Sequence, residues 1–201
     1  MQLMTDIHIR PFTGEKIKTY LHSLAKLMAE VFKEYPYLRE ASSVQQTEYI
    51  KRAASYKEAI AVLIFDNTTL VGASLGLPLI GECKELQQPF LDKNMNANDI
   101  FFFSASLLLK PYRRRGIGHH FFDVREAHVL HHKKFSHISF CLPEMQENDP
   151  SRPEDYLSLE DFWRKRSYVH HPEMQCLLPW SPIEPEAPRE KRMSFWLKAI
   201  R

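Results

Sequence analysis

Glycine is scarce in this sequence, with six in 201 residues, yet Gly116 and Gly118 stand one residue apart. Three consecutive arginines, Arg113, Arg114 and Arg115, precede them. A glycine lacks the Cβ that would hold a ligand away from the backbone. The apolar run at 100–109 predicts a strand before this stretch, and the periodicity of Ile117, Phe121, Val124 and Ala127 predicts a helix over about 117–131 after it. N–H groups at a helix start lack acceptors upstream and favour an anion. Guanidinium groups add fixed charge in a fork geometry that suits phosphate. The chemistry these residues can do is to hold a phosphate or pyrophosphate on backbone amides.

Two common phosphate motifs are excluded. No Gly-Lys-Ser/Thr follows the glycines, so this is not a Walker A loop. A dinucleotide fingerprint needs a third glycine at 121, where the chain has Phe121.

The elements that must position the motif can be read from hydrophobic spacing. Residues 7–12 alternate as a strand. Ile17, Leu24, Leu27, Met28 and Val31 recur at helical spacing over 17–32, and a more polar helix is expected over 44–56. Apolar runs at 60–65 and 70–80, divided by Asp66-Asn67-Thr68-Thr69, read as a hairpin. The stretch 81–98 reads as a loop or short helix. Strands are expected at 136–142, 174–178 and 193–197, with a short helix over 159–166. The resulting order, β-α-α-β-β-β-α-β-α-β-β, implies an α/β fold with a mixed sheet.

The pattern Arg/Gln-x-x-Gly-x-Gly/Ala between strand and helix, met by Arg113-Arg114-Arg115-Gly116-Ile117-Gly118, resembles the pyrophosphate signature of the GNAT superfamily of acyl-CoA N-acyltransferases. Residues 161–169 look like the late segment of that family written Phe-Tyr-x-Lys-x-Gly-Phe, and the element order is similar from about 7 to 178. The resemblance implies one domain over 1–201: an acceptor side in the N-terminal half, a CoA-binding core at 99–142, and an acceptor loop with closing strands at 143–201. It implies a mostly antiparallel sheet of six or seven strands flanked by about four helices.

It further implies transfer of an acetyl group from acetyl-CoA to a primary amine by direct attack. Leu107, Leu108 and Leu109 would border the pantetheine arm, with an N–H near Leu108 polarising the acyl carbonyl. The amides from Arg114 to His119, together with Arg113, would take the pyrophosphate. Two departures from the family pattern stand out. Trp163 occupies the place of the usual acidic tyrosine and Ser167 that of the glycine, and Arg113 follows Pro111 one residue early. Tyr156 and Tyr168 are therefore the candidate acids. Glu144 is the first candidate base, with Glu147 and Asp149 behind it. The alternative reading is a non-catalytic acyl-CoA-binding sensor or interaction module of the same fold.

Between 144 and 161 seven acids face one arginine, which in the GNAT arrangement would favour a cationic acceptor: a polyamine, an aminoglycoside-like amine, or a peptide lysine or N-terminus. The Tyr35-Pro36-Tyr37 segment would border the same pocket. Net charge is only +2, with 27 Lys and Arg against 25 Asp and Glu, so no nucleic-acid or membrane partner is expected. The longest apolar run is about half the roughly twenty residues of a membrane span. Residues 1–6 lack a signal-peptide pattern, and three cysteines with no CxxC pair fit a reducing, cytoplasmic setting. His128 and His132 lie four apart on a helix without a third metal ligand in sight, so no metal is expected. Segment 193–197 either pairs a homodimer or completes its own sheet.

Overall fold

The structure is a computed structural model and describes residues 7–145, 148–185, 187 and 189–200. Seven strands form one sheet: β1 (Ile7–Thr13), β2 (Ile60–Asp66), β3 (Thr69–Pro78), β4 (Ile100–Leu108), β5 (His137–Pro143), β6 (Val169–Pro179) and β7 (Glu190–Ala199). Their order is β1-β2-β3-β4-β5-β7-β6. Every neighbouring pair is antiparallel except β4 and β5. This is the mixed sheet that the element order implied, and mostly antiparallel as the resemblance implied. β7 lies between β5 and β6, so it completes the chain's own sheet and has no free edge.

Helices cover both faces. On one lie α1 (Leu21–Val31), α2 (Ser43–Ala54) and α3 (Lys84–Leu91); on the other lie α4 (Ile117–His132) and α5 (Glu160–Lys165). The stripe Leu24, Leu27, Met28 and Val31 is buried as its spacing requires, against Leu63, Leu75 and Leu107 of the sheet. The helix expected from residue 17 begins instead as a 3-10 segment, Gly14–Tyr20, which turns into α1. The opposite face packs Phe121 and Phe122 of α4 with Phe140, Trp163, Tyr168 and Trp196.

Two elements exceed their sequence signal. α3 settles 84–91 as helix, its Leu86 and Phe90 buried. β6 starts at Val169 rather than 174, because its first half, His170-His171-Pro172-Glu173, carries no apolar run; the register shifts there, where Pro172 has no N–H to donate to a ladder. Among the described residues no helix is long and apolar enough to cross a membrane.

The feature that shapes the site is an irregularity in β4. Leu75 pairs with Ala105 but Leu77 pairs with Phe102, so β4 spends three residues where β3 spends two. The extra residue falls at Phe103–Ser104. A bulge bends its strand and ends regular pairing. On the other side of β4, the parallel pairing with β5 runs only from Ile100↔His137 to Phe102↔Ser139. Beyond that the two strands part, and a wedge opens toward their C-terminal ends.

Candidate functional site

The turn from β4 into α4 is built around positive φ angles at Arg114 (62°) and Gly116 (78°). Only glycine takes the second without steric cost. Gly116 caps α4, and the N–H groups of Arg114, Arg115, Gly116, Ile117 and Gly118 have no backbone acceptor. A Cβ built on Gly116 or on Gly118 would meet no atom within 4 Å. The glycines therefore line an open cradle of amides at a helix N-terminus, sized for a group that must touch the backbone. His119 is a correction: its N–H donates to Gly116 O (3.0 Å) and leaves the set, while its ring packs edge-on against Phe162.

The three arginines divide their work. Arg113 donates from Nε to Leu108 O (2.8 Å) and pairs with Glu34 (2.6 Å), bracing the end of β4 against the end of α1. Its side chain is thereby committed within the chain. Arg114 donates to Asp155 O (2.8 Å), tethering the 148–157 loop to the cradle. Arg115 lies over the Tyr112 ring (5.5 Å) and is exposed beside the cradle.

Along β4 the backbone groups alternate between its two sides. Leu109 N–H donates to Val71 O (3.0 Å), which turns Leu109 and Leu107 toward β3. The groups of Ser106 and Leu108 then face the wedge, consistent with Leu108 O receiving Arg113. Of the three leucines singled out in the sequence, only Leu108 presents its N–H to the gap. Ser106 joins it and had gone unnoticed, since nothing in an apolar run marks which amides stay unpaired. The Leu107 side chain is buried under α1.

No protein-family model and no curated protein sequence matches the chain. Solved structures do. An acetyltransferase of the GNAT family from Streptococcus pneumoniae aligns with 97% of this chain and 100% of its own at 14% identity, with a TM-score of 0.59. A ribosomal-protein-alanine N-acetyltransferase from Brucella melitensis aligns over 96% and 99% at 10% identity (TM-score 0.60). A PaiA N-acetyltransferase from Thermoplasma acidophilum, solved in complex with coenzyme A, aligns over 96% and 99% at 13% identity (TM-score 0.55). The chain has the GNAT fold. At these identities the likeness establishes the fold, and the chemistry must be argued from this chain's own residues.

On that fold Trp163 and Tyr168 turn out to be core. Trp163 is buried against Phe140 and Trp196. Tyr168, a candidate acid, is 2% exposed, and its hydroxyl donates to Glu126 Oε1 (3.1 Å). It sits under α4, on the sheet face away from α1 to α3. Burial and the neighbouring Glu126 push its phenol far up. It is a packing residue with a satisfied hydroxyl, so its assignment as an acid is withdrawn.

Glu144 follows β5, but its carboxylate accepts from Gln175 Nε2 (2.7 Å) and lies 3.9 Å from Arg192 Nε. These partners belong to β6 and β7, so its recorded contacts lead away from β4. Glu147 falls outside the described residues. Asp149 Oδ1 accepts from Ser151 N–H (2.9 Å), and burial, with the Asp149 charge adding to it, raises the Tyr35 phenol. Tyr156 is half-buried, edge-on to Tyr35 (4.8 Å), its hydroxyl 3.5 Å from Met145 Sδ just past β5. Burial raises its pKa, so the phenol keeps its proton at neutral pH. The acidic segment is partly neutralised: Asp155 pairs with Arg114 and Glu160 with Arg164.

His128 donates from Nε2 to Glu58 O (2.7 Å) and packs edge-on against His132 (4.6 Å). A shallow cavity of about 410 Å³ opens near His137, Val169 and Ala199, at the opposite end of β5 from the wedge, and shares no residue with the cradle.

Proposed function

We propose that this chain is an acetyl-CoA-dependent N-acetyltransferase acting on a primary amine. The observation that carries the reading is a cradle of unpaired amides at the end of a splayed strand whose Ser106 and Leu108 groups face the gap. Arg114 to Gly118 would take the pyrophosphate on their amides. Ser106 and Leu108 would pair with the amides of the pantetheine arm, and the Leu108 N–H would polarise the thioester carbonyl as an oxyanion donor. The thioester would then lie in the wedge, open to direct attack by an amine entering from the side of Tyr35 and Tyr156. Asp149, facing Tyr35, favours a cationic acceptor there.

The test is a thermal-shift titration with acetyl-CoA, CoA and ATP. Ligand at about 100 times Kd stabilises a fold by about 2.7 kcal/mol, which for a chain of this length is a rise of roughly 5–10 °C. Acetyl-CoA and CoA should give that rise and ATP should not. A folded sample that responds to no CoA ester rules the reading out.

Tyr156, half-buried and protonated beside the end of β5, is the phenol we assign to protonating the departing thiolate. Tyr156→Phe should lower kcat by about 10²-fold and leave the KM for acetyl-CoA within a factor of two or three. An unchanged kcat would remove Tyr156 from the chemistry.

A further inference from the structure

Ser104 and Cys141 lie two residues beyond Phe102 and Ser139, the last paired residues of β4 and β5. They mark the narrow end of the wedge, one on each strand, where the two strands begin to part. Between them and α2 sits a carboxylate that none of the readings above uses. Glu82, in the turn between β3 and α3, has a side chain only 4% exposed. Its Oε1 accepts from the Tyr49 hydroxyl of α2 (2.7 Å), and Ser104 Oγ lies buried beside that hydroxyl without completing a well-formed hydrogen bond. Arg52 approaches Oε2 only to 3.9 Å, from the solvent side. The other titratable groups around it are the thiols of Cys83 and Cys141, both pushed up by burial and so uncharged. A buried carboxylate with one oxygen held and the other lacking a close donor is costly unless something else uses it.

Resting on the proposed N-acetyltransferase reading, we propose that Glu82 is the general base for the acceptor amine, with Tyr49 as the residue that positions it. Amines arrive as ammonium ions, and an ammonium cannot attack. Glu82 takes one proton from the ammonium, freeing the nitrogen lone pair. The C–N bond forms at the thioester carbonyl carbon, the C–S bond breaks, and its electron pair leaves on sulfur. Tyr156 gives its proton to the thiolate and takes the second proton of the attacking nitrogen in exchange, and Glu82 returns its own proton to solvent. Desolvation raises the Glu82 pKa toward the working range of a base, and the Tyr49 hydrogen bond restrains that rise.

A carboxyl whose pKa rises on folding holds its proton more tightly in the native state. Its contribution is present at acid pH and is lost as pH climbs from the ordinary carboxylate value through the raised one. Glu82→Gln keeps an oxygen for Tyr49 and removes that loss. The variant should therefore melt no lower than wild type at pH 8, with the difference in its favour growing between pH 5 and pH 8.

The experiment follows thiol release from acetyl-CoA with spermidine, kanamycin and a short peptide bearing a free N-terminus. For the amine that wild type turns over, Glu82→Gln should lose 10²–10³-fold in kcat/KM at pH 7 while its CoA-induced thermal shift stays the same. Tyr49→Phe should keep most of the rate but move the acid limb of the pH profile to higher pH, an effect that a purely structural role would not produce. A Glu82→Gln variant within threefold of wild type overturns the assignment, as does an acid limb that Tyr49→Phe leaves in place. Wild type that binds CoA but releases no thiol with any of the three amines overturns the enzymatic reading itself, and the base goes with it.

Discussion

Gly118→Val should abolish the CoA-dependent thermal shift while leaving the melting temperature of the free protein unchanged or slightly higher. A Cβ at Gly118 meets no atom within 4 Å, and Gly118 has no positive φ to strain it. In the first turn of α4, replacing glycine by valine lowers the conformational entropy of the unfolded chain and costs the fold nothing in packing. The space that the valine fills is the space a phosphate oxygen needs to come within about 2.9 Å of the amides. Binding is lost and folding is not. Gly116→Val is the weaker test, because at φ 78° a β-branched residue costs of order 1–2 kcal/mol by itself. A Gly118→Val protein that still responds to CoA would mean the amides at 114–118 are only the end of a helix.

That cradle was legible in the sequence because its signals are local: a glycine pair, an arginine run, and a strongly apolar strand ending just before them. Much of the sheet was legible for the same reason, through the apolar runs at 60–65, 70–80 and 100–109 and the alternation at 7–12. What escaped depends on partners distant in sequence. The bulge at Phe103–Ser104 hides inside Phe101-Phe102-Phe103, where no glycine or proline marks an extra residue. Glu82 sits in a stretch that reads as polar and solvated, and only Tyr49, 33 residues away, makes it a buried carboxylate. Tyr168 was misjudged in the opposite direction. Its neighbourhood in sequence suggested a site, but Phe122, Phe140 and Trp196 gather around it from three elements and make it core.

Arg125→Met should lower the melting temperature by roughly 5–10 °C, about 2–3 kcal/mol for a chain of this length, and reduce kcat/KM further than the lost stability explains. Arg125 is fully buried in α4. Its guanidinium donates to Leu75 O (3.0 Å), Ala105 O (3.2 Å) and Ser106 Oγ (2.9 Å), and its Nε donates to Phe121 O (3.1 Å). The Phe103 ring lies 3.9 Å from its central carbon. Two effects oppose each other. Burying a cation costs several kcal/mol, and burial pulls this pKa down to about 9, so the group remains charged at neutral pH but is held at a cost. Against that stand four charge-assisted bonds, each with a net value of about 1.5–3 kcal/mol, and the ring contacts. Four bonds outweigh one desolvation, so removing the charge should destabilise even with a methionine of similar bulk filling the space. The bonds also bridge β3 to β4 next to the bulge and hold the Ser106 side chain. Without them the strand that offers Ser106 and Leu108 to the wedge is free to straighten, and the catalytic loss should persist well below the melting temperature. A variant that melts higher than wild type would show that desolvation wins, and that the bulge holds its shape without the arginine.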